Sequence, residues 1–208
     1  PMKTLLTTLA TSALLLGSAT AFAASTVDLV VRGKIIPAAC VPDLSSSGVI
    51  DHGKISAKDL RADNPTLIGT HLLNMTVNCD APVLFALHAI DNRAASAAMP
   101  SDYGLGFIND NQKLGWYTLS LLNPVAEDGV VVQPIASGDQ GKTWYRESAW
   151  EPSLYMSVAS MDDDTQPLPV KELRVGLEVR TSIARTDSLD LSNEVRLDGS
   201  ATLEVKYL

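Results

Sequence analysis

The chain has 208 residues, with 16 Lys and Arg against 24 Asp and Glu, for a formal net charge of −8. The acidic charge is dispersed and no basic run occurs, which argues against nucleic acid and anionic membrane surfaces as partners. Hydrophobic residues make up 46% of the chain, enough for a full core in one domain.

Residues 1–23 read as a secretory signal. Lys3 supplies the charge, Leu5 to Leu16 form an apolar stretch, and Ala21-Phe22-Ala23 offers an Ala-x-Ala cleavage site. Pro1 stands ahead of the initiator Met2 and reads as an addition. The stretch is shorter than the roughly 20 apolar residues of a membrane span, and no later segment reaches that length. The expectation is an exported, soluble protein.

Beyond the signal, no segment carries a helical period. Short apolar runs alternate with turn residues instead, the pattern of an all-β chain. Residues 24–32 form an N-terminal extension, and Val27 to Ile36 reads as extended until Pro37 ends it. Val27, Leu29 and Val31 share one face, with Gly33 and Ile35 in phase; Asp28, Val30 and Arg32 share the other. Val49 to Ile55 reads as a short strand around Gly53. Leu72 to Cys79 alternates cleanly, with Leu73, Met75, Val77 and Cys79 on one side. Val83–Ile90, Leu114–Leu122, Val130–Ile135, Leu154–Ala159 and Leu173–Ile183 follow as further strands. Short helical turns fit Ala57–Ala62 and Arg93–Met99. In Ala201–Tyr207, residues Ala201, Leu203, Val205 and Tyr207 oppose Thr202, Glu204 and Lys206, a strand with one buried face that ends next to Leu208. Residues 33–208 read as one β-sandwich domain.

Cys40 and Cys79 are the two cysteines. In an exported chain an even count points to a disulfide, whose loop of about 40 residues would contribute roughly 4 kcal/mol on the chain-entropy model. Two free thiols or part of a metal site are the other readings. A metal site lacks further ligands, since His52, His71 and His88 show no ligand-like spacing with the cysteines. No nucleophile elbow, zinc-protease motif or phosphate loop is present, so no catalytic residue, metal or cofactor is expected and the chain reads as a non-enzyme. Asp162-Asp-Asp164 reads as a solvated turn, because it lacks the alternating ligands of a calcium loop. Trp116, Trp144 and Trp150 read as core or loop packing, with a sugar-stacking surface as the sharper alternative.

Four segments in order carry a resemblance. Arg32-Gly-Lys-Ile-Ile-Pro-Ala-Ala-Cys40 leads into the first cysteine, and Asp51-His-Gly-Lys-Ile-Ser56 follows as a glycine-bearing apolar strand. Leu72-Leu-Asn-Met-Thr-Val-Asn-Cys79 carries the second cysteine. Asp198-Gly-Ser-Ala-Thr-Leu-Glu-Val-Lys-Tyr-Leu208 ends on a glycine, alternating apolar residues and a penultimate tyrosine. With the signal and the cysteine pair, these segments resemble a subunit of chaperone–usher fimbriae (pili), of a less studied fimbrial-subunit-like branch.

The resemblance implies an incomplete immunoglobulin-like β-sandwich lacking its last strand, completed by donor-strand exchange. It implies a periplasmic pilus chaperone, an outer-membrane usher and neighbouring fimbrial subunits as partners. It also implies an extracellular fimbrium on the Gram-negative cell surface as the destination. Val27, Leu29, Val31, Gly33 and Ile35 would form the donated strand; a slip of one residue would turn Asp28 and Arg32 into the groove instead. Ala201, Leu203, Val205, Tyr207 and Leu208 would form the chaperone-binding C-terminal strand, with the Leu208 carboxylate held by basic chaperone residues. The alternatives are a tip or adaptor subunit whose 94–169 region binds a host or surface ligand, and a complete exported sandwich that binds carbohydrate.

Overall fold

The computed structural model describes residues 29–33 and 39–208. The chain divides into two units, Pro1–Ile35 and Ile36–Leu208. In the first, residues 29–33 are in no strand, and Leu29 and Val31 expose 88% and 87% of their surface. The signal segment, Val27 and Ile35 lie outside the described residues.

The second unit is an antiparallel β-sandwich. Its strands are β1 (Cys40–Leu44), β2 (Thr66–Val83), β3 (Phe85–Asp91), β4 (Tyr103–Gly104), β5 (Phe107–Ile108), β6 (Gln112–Lys113), β7 (Gly115–Ala126), β8 (Gln133–Ser137), β9 (Tyr145–Arg146), β10 (Ala149–Trp150), β11 (Tyr155–Ala159), β12 (Val170–Ile183) and β13 (Ala201–Tyr207). One sheet runs β1-β2-β12-β7-β10, with β4 beside β7; the other runs β13-β3-β11-β8-β9. β5 and β6 form a separate small ribbon.

The strand order β1-β2-β12-β7 is that of the A-B-E-D sheet of a constant-type immunoglobulin sandwich, and β13-β3 is that of its F-C pair. In that layout a G strand flanks F. Among the described residues, β13 pairs with β3 and with no strand on its other side.

The alternation predicted for Leu72–Cys79 holds. Leu73, Met75, Val77 and Cys79 are buried, while Leu72, Asn74 and Asn78 are exposed. Beside them in the same sheet lie Leu173, Val175 and Leu177 of β12 and Leu119 and Leu121 of β7, and the facing sheet adds Phe85 and Leu87 of β3 and Met156 and Val158 of β11, all buried in one cluster. Each such side chain removed from water contributes about 1.5–3 kcal/mol. Cys40 and Cys79 are opposite each other in the β1–β2 register and form the disulfide.

β3 is buried on one face along its length and on the other only at Ala86, with His88 half-buried and Ile90 exposed. Phe85 and Leu87 join the main core, while Ala86 belongs to a second cluster with Ile135, Ala159 and Trp144. The middle region therefore supplies further sheet strands and a cover for the smaller sheet's outer side. Trp150 is 1% exposed in the main core, and the Trp144 indole N–H donates to the Gly141 carbonyl at 3.1 Å. Both tryptophans pack inside the fold, so neither forms a sugar-stacking surface.

Two strand expectations differ from the structure. Val49–Ile55 is in no strand: Asp51 accepts a hydrogen bond from the Gly53 N–H at 2.8 Å, and Gly53 has φ +63°, so the chain turns there. The Val130–Ile135 strand begins at Gln133, after an isolated bridge between Val131 and Val125.

Candidate functional site: a groove along the C-terminal strand

β13 sits at the edge of its sheet. The Ser200 carbonyl accepts from the Asn92 N–H at 2.9 Å, and the Leu208 N–H donates to the Leu84 carbonyl at 3.2 Å. Backbone groups of an antiparallel strand alternate sides. Thr202, Glu204 and Lys206 therefore direct their N–H and C=O groups to β3, in phase with Ser200 and Leu208. Ala201, Leu203, Val205 and Tyr207 direct theirs to the open flank. The same four residues carry the inward-facing side chains, and all four are only half-buried. An edge with free backbone groups beside apolar side chains is a template for pairing.

Facing this edge, the chain from Leu44 to Leu60 runs along the other sheet without pairing as a strand between Ser45 and Leu60. Two cavities lie in the resulting gap. The first, about 290 Å³, is floored by Leu73, Leu105, Leu119 and Leu177 and walled by Ile50 and Leu203. The second, about 450 Å³, lies between Ile55 and Leu60 on one side and Leu191 and Val195 on the other. Leu197 lines both, so they form one groove with a floor of sandwich core.

Three contacts fix the groove walls. The Cys40 N–H donates to the Tyr207 phenolic oxygen at 2.8 Å, joining the end of β13 to the start of β1. Asp198, just before β13, takes a two-pronged hydrogen bond from the Arg93 guanidinium at 2.8 and 3.0 Å. That bond holds the Asp198 carboxyl below its ordinary pKa and raises Arg93. Gly199 then passes so close to the core that an added Cβ would lie 3.0 Å from both Leu105 Cδ2 and Tyr117 Cε1. Glycine avoids crowding those two side chains. Tyr117 lines the groove, stacks on Tyr103 at 5.0 Å between ring centres, and has its phenol pKa pushed up by burial.

On the outer face of β13, Lys206 pairs with Glu204, which also faces His88 at 3.8 Å. Leu208 is 42% exposed, and its side chain lies against Gly141, where φ is +91°.

The sequence-expected residues thus divide. Ala201, Leu203, Val205 and Tyr207 come together on the open edge with Leu208 at its end. Of the expected donor residues, Leu29, Val31 and Gly33 are described and lie in no strand. The histidines are not all separate: His52 and His71 meet edge to face with ring centres 4.8 Å apart. Sequence spacing could not reveal that pair, because 18 residues, most of them a loop before β2, lie between them. Asp163 is a turn residue, its carboxylate accepting from the Thr165 N–H and hydroxyl.

The family model described as "Protein of unknown function (DUF1120)" matches residues 29–103, which span β1 to β4 and the lower groove wall. The chain is 30% identical to the uncharacterized protein YhcF of Escherichia coli K12 over 222 positions, covering 89% of this chain and 92% of that protein. It is 22% identical to protein GltF of the same organism, over 92% of each. Similarity at that level along nearly the whole length, with the family model matching the first strands, makes the chain a member of the DUF1120 family.

Proposed function

We propose that this protein is a structural subunit of a surface fimbrium, assembled by exchange of strands between chains. The observation that carries the reading is the open flank of β13, where four residues above an apolar groove present backbone groups that no strand pairs among the described residues. A periplasmic chaperone fills that flank first. At the outer-membrane usher, the N-terminal strand of the next subunit replaces it.

The donor is the segment Val27, Leu29, Val31, Gly33 and Ile35. Its apolar face suits the groove floor, and its backbone suits the edge. Each buried donor side chain contributes about 1.5–3 kcal/mol, and each backbone hydrogen bond about 0.5–1.5 kcal/mol net. Such contacts repeated head to tail are heterologous and give an open filament.

Expression in a bacterial periplasm, with and without a fimbrial chaperone, tests this reading. The expected result is degradation or aggregation alone and a soluble one-to-one complex with the chaperone. A monodisperse, stable monomer in the chaperone's absence would contradict it.

A further inference from the structure

We propose that His52 and His71 form a two-imidazole site for a divalent transition-metal ion, at the end of the groove where its wall meets β2. The site stands whether or not a strand enters the groove.

Gly69 and His71, two residues apart on β2, face the sandwich interior. Thr181 of β12 is opposite Gly69 in the register. His52 arrives from the unpaired wall, on the turn fixed by Asp51 and Gly53. The lack of a side chain at Gly69 lets the two rings close over its backbone. A Cβ placed there would lie 2.9 Å from His71 Nε2, 2.9 Å from His52 Cε1 and 3.0 Å from His52 Nδ1. One nitrogen of each ring therefore lies within 3.0 Å of the same point.

The ring spacing suits a shared ion. With metal–nitrogen bonds of about 2.0–2.1 Å, two imidazoles on one ion have ring centres about 5 Å apart. Here they are 4.8 Å apart, with the ring planes at 82°. His52 Nε2 lies 3.1 Å from Thr181 Oγ1. A proton on Nε2 donates to that hydroxyl and leaves the Nδ1 lone pair for the metal, the arrangement that commonly orients a ligating histidine. Asp51 adds negative charge beside His52. Imidazole suits zinc, copper and nickel, and water completes the coordination.

Titration of the tag-free soluble chain with Cu2+ and with Zn2+ at neutral pH tests the site. If the chain is purified with a chaperone, the chaperone alone serves as the blank. One ion per chain at micromolar concentration is expected, with an electron paramagnetic resonance signal from Cu2+ showing two imidazole nitrogens. His52→Ala and His71→Ala should each weaken binding by about 10-fold or more. Gly69→Ala keeps both imidazoles but pushes the rings apart, and should weaken binding likewise; if it does not fold, the two histidine variants decide. Unchanged binding in both histidine variants, or none at micromolar metal, would overturn the site and leave the two rings as packing alone.

Discussion

The Cys40 N–H donates to the Tyr207 hydroxyl across 167 positions of sequence. Cys40 is also covalently joined to Cys79, so a single residue ties the C-terminal strand, β1 and β2 together. The bond closes one end of the groove and sets the spacing between its walls there. Tyr207→Phe should keep the ring in place and remove the acceptor. A loss of about 1 kcal/mol in denaturant unfolding is expected, because the partly buried Cys40 N–H is left without its partner. Unchanged stability would mean that the hydroxyl does not hold the groove closed.

Loss of the disulfide acts at the same corner. Cys40→Ser paired with Cys79→Ser should destabilise the fold by roughly 4 kcal/mol if chain entropy dominates. Denaturant unfolding of that double variant, compared with the parent under oxidising conditions, measures the difference.

A side chain at Gly199 would crowd Leu105 and Tyr117. Gly199→Ala should press Leu105 and Tyr117 aside and cost about 1–3 kcal/mol. Because Gly199 lines the groove beside the start of β13, the same change should slow strand uptake. Thermal unfolding and the rate of peptide uptake, measured on the same variant, check both effects.

Asp139 gives the loop before Trp144 an acid dependence. Its carboxylate accepts from the Thr143 N–H and hydroxyl, the Ser137 hydroxyl and the Lys142 N–H, and its pKa is held well below the ordinary 3.8. A carboxyl with a depressed folded pKa stabilises the fold above the unfolded value and loses that contribution as pH falls toward the folded one. Stability should therefore decline below about pH 4, and Asp139→Asn should flatten that part of the profile. Equal slopes for parent and variant between pH 5 and pH 2 would show that Asp139 does not contribute.

The strands were legible where one face is buried and a partner lies on each side, as in Leu72–Cys79. Val49–Ile55 carries a similar alternation without being a strand. Ile50 and Ile55 line the groove, so one-sided burial exists there, but no neighbouring strand supplies hydrogen bonds and the Asp51–Gly53 turn breaks the run. Period-two patterning reports which face is apolar and is silent about pairing. β3 hid its cover for a related reason: Ala86 on its second face is apolar and small, and nothing in the run points to Trp144. The β13 residues were legible as a strand with one apolar face, whereas its open flank is a property of topology. The His52–His71 contact came from a loop closing over a glycine, which no local pattern encodes.

Amide hydrogen exchange along β13 tests strand uptake most directly, in a chain carrying a second copy of residues 24–36 appended after Leu208 through a flexible linker. The account predicts that the amides of Leu203, Val205 and Tyr207 become as slow to exchange as those of Glu204 and Lys206, and that changing Leu29 and Val31 to Asp in the appended copy abolishes this. Leu203, Val205 and Tyr207 amides that still exchange freely with the intact copy in place would contradict it.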